Sequence, residues 1–267
     1  MDELPGGDWQ PLPDRLDGPQ PVSARQPLSG PGTGGKTDFD PALRCSRARD
    51  LLEEEFGPLP PVSVLPHPNY ATEYPPPPDR QAARSDLQIP PHAFLFLMFG
   101  SLRDYKGIDR AIAAFREIEL PHARLHIAGG KGSRFDLEPV LRHACEDSRI
   151  TVLSDFVPRD AVAKLYAAAD VSLHCYRNTL TSGSIPLAQS MGIAVVAPRV
   201  GCIEEMVPKS CGILYDPEAA GGLKAAMIQA MSANVRQMGR EGRNFIANRT
   251  VQNFARELLA IYQTIAR

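Results

Sequence analysis

Two loops bring together the residue types that diphosphate binding requires. The first follows an apolar run, Phe94-Leu-Phe-Leu-Met-Phe-Gly-Ser-Leu-Arg-Asp-Tyr-Lys-Gly107, and a helix-like pattern opens directly after it at Ile108. Gly100 and Gly107 allow close backbone approach, while Arg103, Lys106 and a helix start supply positive charge. The second loop, Asn178-Thr-Leu-Thr-Ser-Gly-Ser184, also precedes a helix pattern, with Pro186 in the first turn where no N–H is missed. Thr181, Ser182, Gly183 and Ser184 combine hydroxyl donors with a flexible glycine, the ingredients of an anion nest. An ordinary Ser/Thr N-cap is the competing reading of that loop.

A third stretch has the form of a phosphate loop without its setting. Gly30-Pro-Gly-Thr-Gly-Gly-Lys-Thr37 matches the P-loop pattern, which works only between a buried strand and a helix. Ser23-Ala-Arg-Gln-Pro-Leu-Ser29 before it has no strand character, and Asp38-Phe-Asp-Pro41 after it is a poor helix start. We therefore reject a P-loop nucleotide site.

The elements that must position the two loops are legible from Phe94 onward. Apolar runs fall at Phe94–Phe99, Ala123–Ala128, Ile150–Leu153, Val171–His174, Ile193–Ala197 and Gly212–Tyr215. Helix-period stretches lie between them at Ile108–Glu117, Leu137–Cys145, Asp160–Ala168, Ile185–Met191 and Glu204–Val207. Short buried runs alternating with helices predict a parallel sheet with right-handed crossovers, hence a doubly wound α/β domain. The tail reads as helices over Leu223–Ser232, Val235–Asn248 and Val251 to the end. In such a sheet ligands sit beyond the carboxyl ends of the strands, which is where both loops fall.

The chain before residue 92 is different. Residues 1–41, rich in Pro, Gly, Asp and Gln, cannot bury enough apolar surface to offset ordering entropy and are expected to be a disordered tail. Residues 42–91 are expected to hold a short helix over Ala42–Phe56, a strand near Val62–Leu65 and a polyproline connector at Pro75–Pro78. Residues 92–267 form the α/β domain with its C-terminal helices.

Composition narrows the function classes. A formal net charge of −2 leaves no basic footprint for nucleic acid. No apolar run approaches the ~20 residues that span a bilayer, and no signal peptide opens the chain. Five cysteines without a C-x-x-C pair read as small core residues of a reduced, cytoplasmic protein, and neither Cys nor His clusters at metal-ligand spacing. No metal or cofactor is expected.

The motifs resemble the C-terminal, donor-binding half of a GT-B glycosyltransferase of the bacterial family 4 or group 1 type. The resemblance rests on Phe99-Gly-Ser-Leu-Arg-Asp-Tyr-Lys-Gly-Ile-Asp109, Leu125-His-Ile-Ala-Gly-Gly130, Asp155-Phe-Val-Pro158, Leu165-Tyr-Ala-Ala-Ala-Asp-Val171 and Met191-Gly-Ile-Ala-Val-Val-Ala-Pro198. It runs through residues 94–267. Residues 42–91 resemble the last helix and strand of the other half plus the interdomain crossover, with Leu65-Pro-His-Pro-Asn-Tyr70 at the crossover.

The resemblance implies a nucleotide diphosphate sugar as donor and a glycan or lipid-linked acceptor, at the inner face of the membrane where the acceptor is lipid-linked. It implies that Lys106 binds the donor diphosphate. The family's usual arginine directly after the glycine is replaced by Ser101, and Arg103 either takes that place or is a solvated loop cation. Two glutamates eight residues apart are usual in the second loop; here the positions are Thr179 and Leu187, so the ribose contact and the stereochemical course stay open. A subgroup with this Thr-Ser-Gly-Ser loop and Tyr-Lys-Gly in the first is resembled more closely. Asp155, Phe156 and Val157 stand where the family grips the base, with core packing as the alternative for Phe156. Gly129 and Gly130 stand at a ligand approach or a simple turn, and Glu204 and Glu205 at a sugar-facing region or on a helix surface. Arg177 reads equally as a phosphate contact or a surface cation, and His174 as a satisfied core histidine. No catalytic residue is assigned. The acceptor half that such an enzyme needs is not legible in residues 1–91, so a catalytically incomplete nucleotide-sugar-binding module, paired with a separate acceptor-domain chain, is the second reading.

Overall fold

The structure is a computed structural model that describes residues 42–43, 45–59, 62–132 and 135–265. The expectations for residues 1–41, the P-loop-like stretch included, lie outside the described residues.

Six parallel strands make the main sheet. These are β3 (Phe94–Phe99), β4 (Ala123–Ala128), β5 (Ile150–Leu153), β6 (Val171–Leu173), β7 (Ala194–Pro198) and β8 (Gly212–Tyr215), after a small two-stranded pair, β1 (Ala42–Leu43) and β2 (Ser63–Val64). The order is β5-β4-β3-β6-β7-β8. The chain winds outward from β3 to β5, returns to place β6 beside β3, and winds outward the other way. The strand order therefore reverses between β3 and β6, and a crevice opens at their carboxyl ends.

The sheet is buried on both faces because its strands are apolar at consecutive positions. In β3, Phe96 and Met98 enter one core while Leu95 and Leu97 enter the other; in β7, Ala194 and Val196 divide from Val195 and Ala197 in the same way. The first core is covered by α3 (Ile108–Arg116), α4 (Glu138–Cys145) and α8 (Gly222–Ser232), through Ile112, Phe115, Val140 and Met227. The second is covered by α5 (Arg159–Ala168), α6 (Ser184–Ser190) and α7 (Ile203–Met206), through Leu165, Tyr166, Ile185 and Ile203. Helices α9 (Val235–Ile246) and α10 (Val251–Ile265) complete the chain. Each fully buried Leu, Ile or Phe contributes about 1.5–3 kcal/mol relative to exposure, which makes this two-sided burial the main source of stability.

The strands and helices from residue 94 onward fall within a residue or two of the expected ones. Three features upstream differ. Ala42 and Leu43 are strand rather than helix, in parallel register with Ser63 and Val64, and the helix α1 starts at Ser46. A helix that the sequence did not announce, α2 (Arg80–Asp86), follows the proline connector; Asp79 caps it by accepting from the backbone N–H groups of Gln81 (2.8 Å) and Ala82 (3.1 Å). Its sequence has no apolar stripe. It is held instead by charge: Arg80 and Arg84 both bind the Asp170 carboxylate, at 2.5 and 2.8 Å, and Asp170 also accepts from the backbone of Leu95 at 2.8 Å. Burial lowers the Arg84 pKa while Asp170 opposes the shift. Third, Cys45 and Cys202 form a disulfide with a Cα–Cα distance of 6.0 Å, which corrects the reading of all five cysteines as free thiols. Cys145, Cys175 and Cys211 are free.

Candidate functional site

The crevice at the strand reversal holds a cavity of about 250 Å³. Its floor is Phe99, Gly100 and Lys106 from the loop after β3, and its opposite side is Thr181, Ser182, Gly183 and Ser184 before α6. Two tyrosines from the connector, Tyr70 and Tyr74, close a third side; Tyr105, Tyr176 and Leu187 complete the lining.

The first loop is shaped by its glycines. A 3-10 turn over Asp104–Lys106 ends at Gly107, whose left-handed φ of 65° and close approach to Cys175 leave no room for a side chain: a Cβ there would lie 2.0 Å from the Cys175 carbonyl oxygen. This contact fixes the loop against the segment leaving β6. Gly100, at φ 114°, clears space for the Lys106 ammonium, since a Cβ on it would meet Nζ at 2.7 Å. Lys106 is 8% exposed, and its Nζ donates to the Phe99 carbonyl at 3.3 Å. Among the described residues no carboxylate pairs with it. Burial first, and the charge of Arg103 second, pull its pKa down to about 8.

The second loop keeps its polar groups turned inward. The Tyr176 hydroxyl shares hydrogen bonds with Ser182 Oγ (2.6 Å) and Ser184 Oγ (2.8 Å). Ser182 Oγ also accepts from the backbone N–H of Ile185 at 3.3 Å, and Thr179 Oγ1 donates to the Thr181 carbonyl at 2.6 Å. Helix α6 is only seven residues long, so side-chain hydroxyls, not its dipole, dominate this side of the cavity.

The remaining sequence-derived residues scatter. Ser101 is exposed and lies 3.5 Å from the Gly130 carbonyl. Arg103 is exposed, packs over Gly132 and stands outside the cavity lining. Gly129 is required by the protein itself: a Cβ there would meet the Gly100 carbonyl oxygen at 2.3 Å. Phe156 is 84% exposed, which removes the core alternative, and it stands next to the Gly130 backbone; Asp155 is exposed and Val157 packs against the second core. None of these three lines the cavity. Glu204 is exposed and ion-paired with Arg199, while Glu205 accepts from the backbone N–H groups of Ser46 and Arg47 at the start of α1. Arg177 is committed to Asp109 at 2.5 Å and to the Asp104 carbonyl at 3.3 Å, the surface role of its two alternatives. His174 is a satisfied core histidine, bonded through both nitrogens to Ser172 (3.0 Å) and Tyr176 (3.2 Å).

Tyr70, Tyr74, Tyr105 and Tyr176 were missed as cavity residues. The connector reaches the site because it threads past α6 and the α9–α10 turn. Asn69 donates from its backbone to the Arg249 carbonyl (2.6 Å) and from its amide to Ile246 (3.0 Å), and Tyr70 donates from its backbone to Ser190 Oγ (2.8 Å). The two tyrosines in Asn69-Tyr-Ala-Thr-Glu-Tyr74 were a visible signal, but nothing local to them says what they face.

Residues 93–234 match the family model of glycosyl transferases group 1, and the chain belongs to that family. Its fold is that of the C-terminal, Rossmann-like half of a GT-B glycosyltransferase. A GDP-mannose:glycolipid 4-beta-D-mannosyltransferase of Xanthomonas campestris pv. campestris is 28% identical over 141 residues, covering 51% of this chain and 40% of that protein. Among solved structures, sucrose-phosphate synthase from Thermosynechococcus elongatus superposes with a TM-score of 0.73 at 21% identity, over 84% of this chain and 57% of that one. HepE from Anabaena, solved in complex with UDP-glucose, gives a TM-score of 0.72 at 17% identity, over 84% and 63% of the respective chains. The chain spans less than half the length of the curated relatives it matches.

Proposed function

We propose that the cavity between β3 and β6 binds the diphosphate of a nucleotide sugar. The chain would then be the donor-binding part of an enzyme that moves the sugar to a glycan or lipid-linked acceptor. The observation that carries this reading is Lys106: a nearly buried cation, facing an open cavity, without a carboxylate partner among the described residues. A buried charge is costly unless something neutralises it, and an anionic ligand is the natural complement here. Gly100 lets the ligand's phosphates approach the strand end, and the Ser182 and Ser184 hydroxyls stand across the cavity. Arg103, outside the lining but close enough to depress the Lys106 pKa, adds to the positive field. Phe156, whose backbone lies beside Gly130 and whose side chain is exposed, offers a flat apolar surface for the base. The chemical role of the site is electrostatic: a preorganised cation and hydroxyl donors stabilise the departing diphosphate as negative charge develops on it.

The relative named for GDP-mannose and a glycolipid, and the HepE structure with UDP-glucose, support the class of donor. The glycolipid in the first name also supports a lipid-linked acceptor. In this reading residues 42–91 are the end of an acceptor half and its crossover, and a complete acceptor half, on this or a separate chain, is needed for turnover. A module that binds the donor without transferring sugar by itself is the alternative.

Calorimetry with UDP and GDP tests the site. Lys106→Ala should weaken binding about tenfold or more, because a charge-assisted contact is worth ~1.5–3 kcal/mol. Lys36→Ala should leave it unchanged. The reverse pattern would restore the rejected P-loop. Transfer from labelled nucleotide sugars, with and without a homologue's acceptor domain, separates the enzyme from the binding module.

A further inference from the structure

Behind the cavity runs a buried line of hydrogen-bonding groups that the donor-binding reading leaves without a task. It starts at Ser172, on β6, and passes through His174 and Tyr176 to Ser182 and Ser184 at the cavity wall. Ser172 is fully buried, and His174 and Tyr176 are each 3% exposed. Leu173 and Cys175 turn into the first core, while Ser172, His174 and Tyr176 are bonded in series on the other side and form one file toward the ligand side.

The proton count along this file allows two arrangements. In the first, His174 carries its hydrogen on Nε2 and donates to Ser172. Nδ1 is then an acceptor and takes the single hydrogen of Tyr176. The Tyr176 oxygen, having given up that hydrogen, accepts from both Ser182 and Ser184. Ser182 Oγ and Ser184 Oγ also lie 3.2 Å apart, so the two serines and Tyr176 form a triangle of three contacts, with only two hydrogens available to it in this arrangement. Keeping two contacts uses both serine hydrogens, and the cavity faces oxygen lone pairs. In the second, Ser172 donates to Nε2 and His174 carries its hydrogen on Nδ1, donating to the Tyr176 oxygen. The Tyr176 hydrogen then joins the triangle, toward Ser182 at 2.6 Å or Ser184 at 2.8 Å. With three hydrogens the triangle keeps two contacts and still turns one serine hydrogen toward the cavity. A neutral imidazole has one donor and one acceptor nitrogen, so the His174 tautomer sets this count.

We propose that Ser172, His174 and Tyr176 are a relay that orients the cavity hydroxyls, and that a phosphate-bearing ligand selects the Nδ1–H tautomer of His174. An anion beside the Lys106 ammonium is repelled by lone pairs and attracted by a hydroxyl hydrogen, so binding favours the second arrangement. The inference rests on the diphosphate reading of the cavity and assigns His174 and Tyr176 as positioning residues rather than ligand contacts. His174 suits the task because it stays neutral: burial first, and the charge of Lys106 second, push its pKa down to about 3. Only its tautomer, not its charge, is then free to change. The ring of Tyr176 is held by stacking with Tyr105, at 6.1 Å between centroids and 15° between planes, which keeps its hydroxyl in place while the hydrogens rearrange.

The test uses UDP and GDP as probes on the full chain. Nitrogen-15 spectra of the imidazole should show the His174 proton on Nδ1 when either ligand is bound; a proton on Nε2 in the bound state would overturn the relay. In calorimetry, Tyr176→Phe should weaken diphosphate binding about fivefold or more while thermal melting confirms that the variant folds. His174→Asn places an amide nitrogen near the Nδ1 position and should bind within about twofold of wild type. His174→Gln places its amide near Nε2 and should lose binding as Tyr176→Phe does. A purely structural histidine would not distinguish the two amides by position. Equal binding by wild type, Tyr176→Phe and His174→Gln would overturn the relay and leave the diphosphate site standing. No binding of UDP or GDP by wild type would overturn the site itself and the relay with it. Should the variants fail to fold, the imidazole spectrum of the wild-type protein decides alone.

Discussion

The loop after β3 presents a charge, whereas the loop before α6 spends its polar groups on one another. Among the described residues Lys106 meets only a backbone carbonyl, at 3.3 Å, and Gly100 keeps the space beside it clear. Ser182 and Ser184 sit across the same cavity with their hydroxyls tied to Tyr176. One side is therefore an unmet cation fixed by backbone geometry, and the other is a satisfied network that must rearrange before it can donate. An anion would gain its long-range attraction from the first and its directional contacts from the second. The asymmetry explains how the site stays folded around a lysine that has no carboxylate partner among the described residues: the rigid side carries the electrostatic cost, and the adaptable side needs no ligand to be satisfied.

The largest effect should come from breaking the joint between the two sides. Gly107→Ala puts a methyl group into the Cys175 carbonyl and forces a left-handed φ on a residue with a side chain. The loop must shift or the sheet end must yield, and we expect about 3 kcal/mol of destabilisation in denaturant or thermal unfolding. A change under about 0.5 kcal/mol would mean that the two loops are not rigidly joined.

A smaller effect separates the cation from the hydroxyls by pH. The Lys106 ammonium is fully protonated well below its pKa of about 8 and is lost as the pH rises through that value. Diphosphate affinity, followed by calorimetry from pH 6.5 to 9.5, should be flat at first and then fall by up to tenfold per pH unit above about 8. Arg103→Ala removes one of the two causes of the depressed pKa and should move the break upward. A pH-independent affinity would assign binding to the hydroxyl side alone.

The smallest effect sharpens the boundary of the site. Arg177 lies close to both loops in sequence and space, yet its guanidinium is already bound to Asp109 and the Asp104 carbonyl. Its side chain is about one-third exposed, and a solvated pair of this kind is worth ~0–1 kcal/mol. Arg177→Ala should leave UDP and GDP affinity within about twofold and stability within 1 kcal/mol. A tenfold loss of affinity would bring Arg177 into the phosphate site.

The same asymmetry governs what could be read in advance. The Lys106 side depends on local order: an apolar run, a glycine and a cation, each with a meaning set by neighbours a few residues away. Its place at the cavity was legible for that reason. The Ser182–Ser184 loop was legible as a polar turn, but not the inward direction of its hydroxyls, because that is set by Tyr176 and His174 in the segment leaving β6. Phe156 and Glu204 were drawn from the pattern of motifs, and neither is among the residues that line the cavity.

By itself the sequence determined the parallel α/β architecture, the positions of its strands and helices from residue 94 onward, and the two loops at the strand ends. These follow from short-range periodicity, since a buried strand or an amphipathic helix must repeat its apolar residues at the spacing of its own geometry. The tertiary structure alone decided the contacts between distant segments: Arg84 with Asp170, Cys45 with Cys202, Tyr70 and Tyr74 against the loop before α6, and the file from Ser172 to Ser184. A polar side chain carries no periodic mark of its partner. Which donor meets which acceptor depends on how the strands are ordered and where the connector crosses them, and that is settled only when the two cores close.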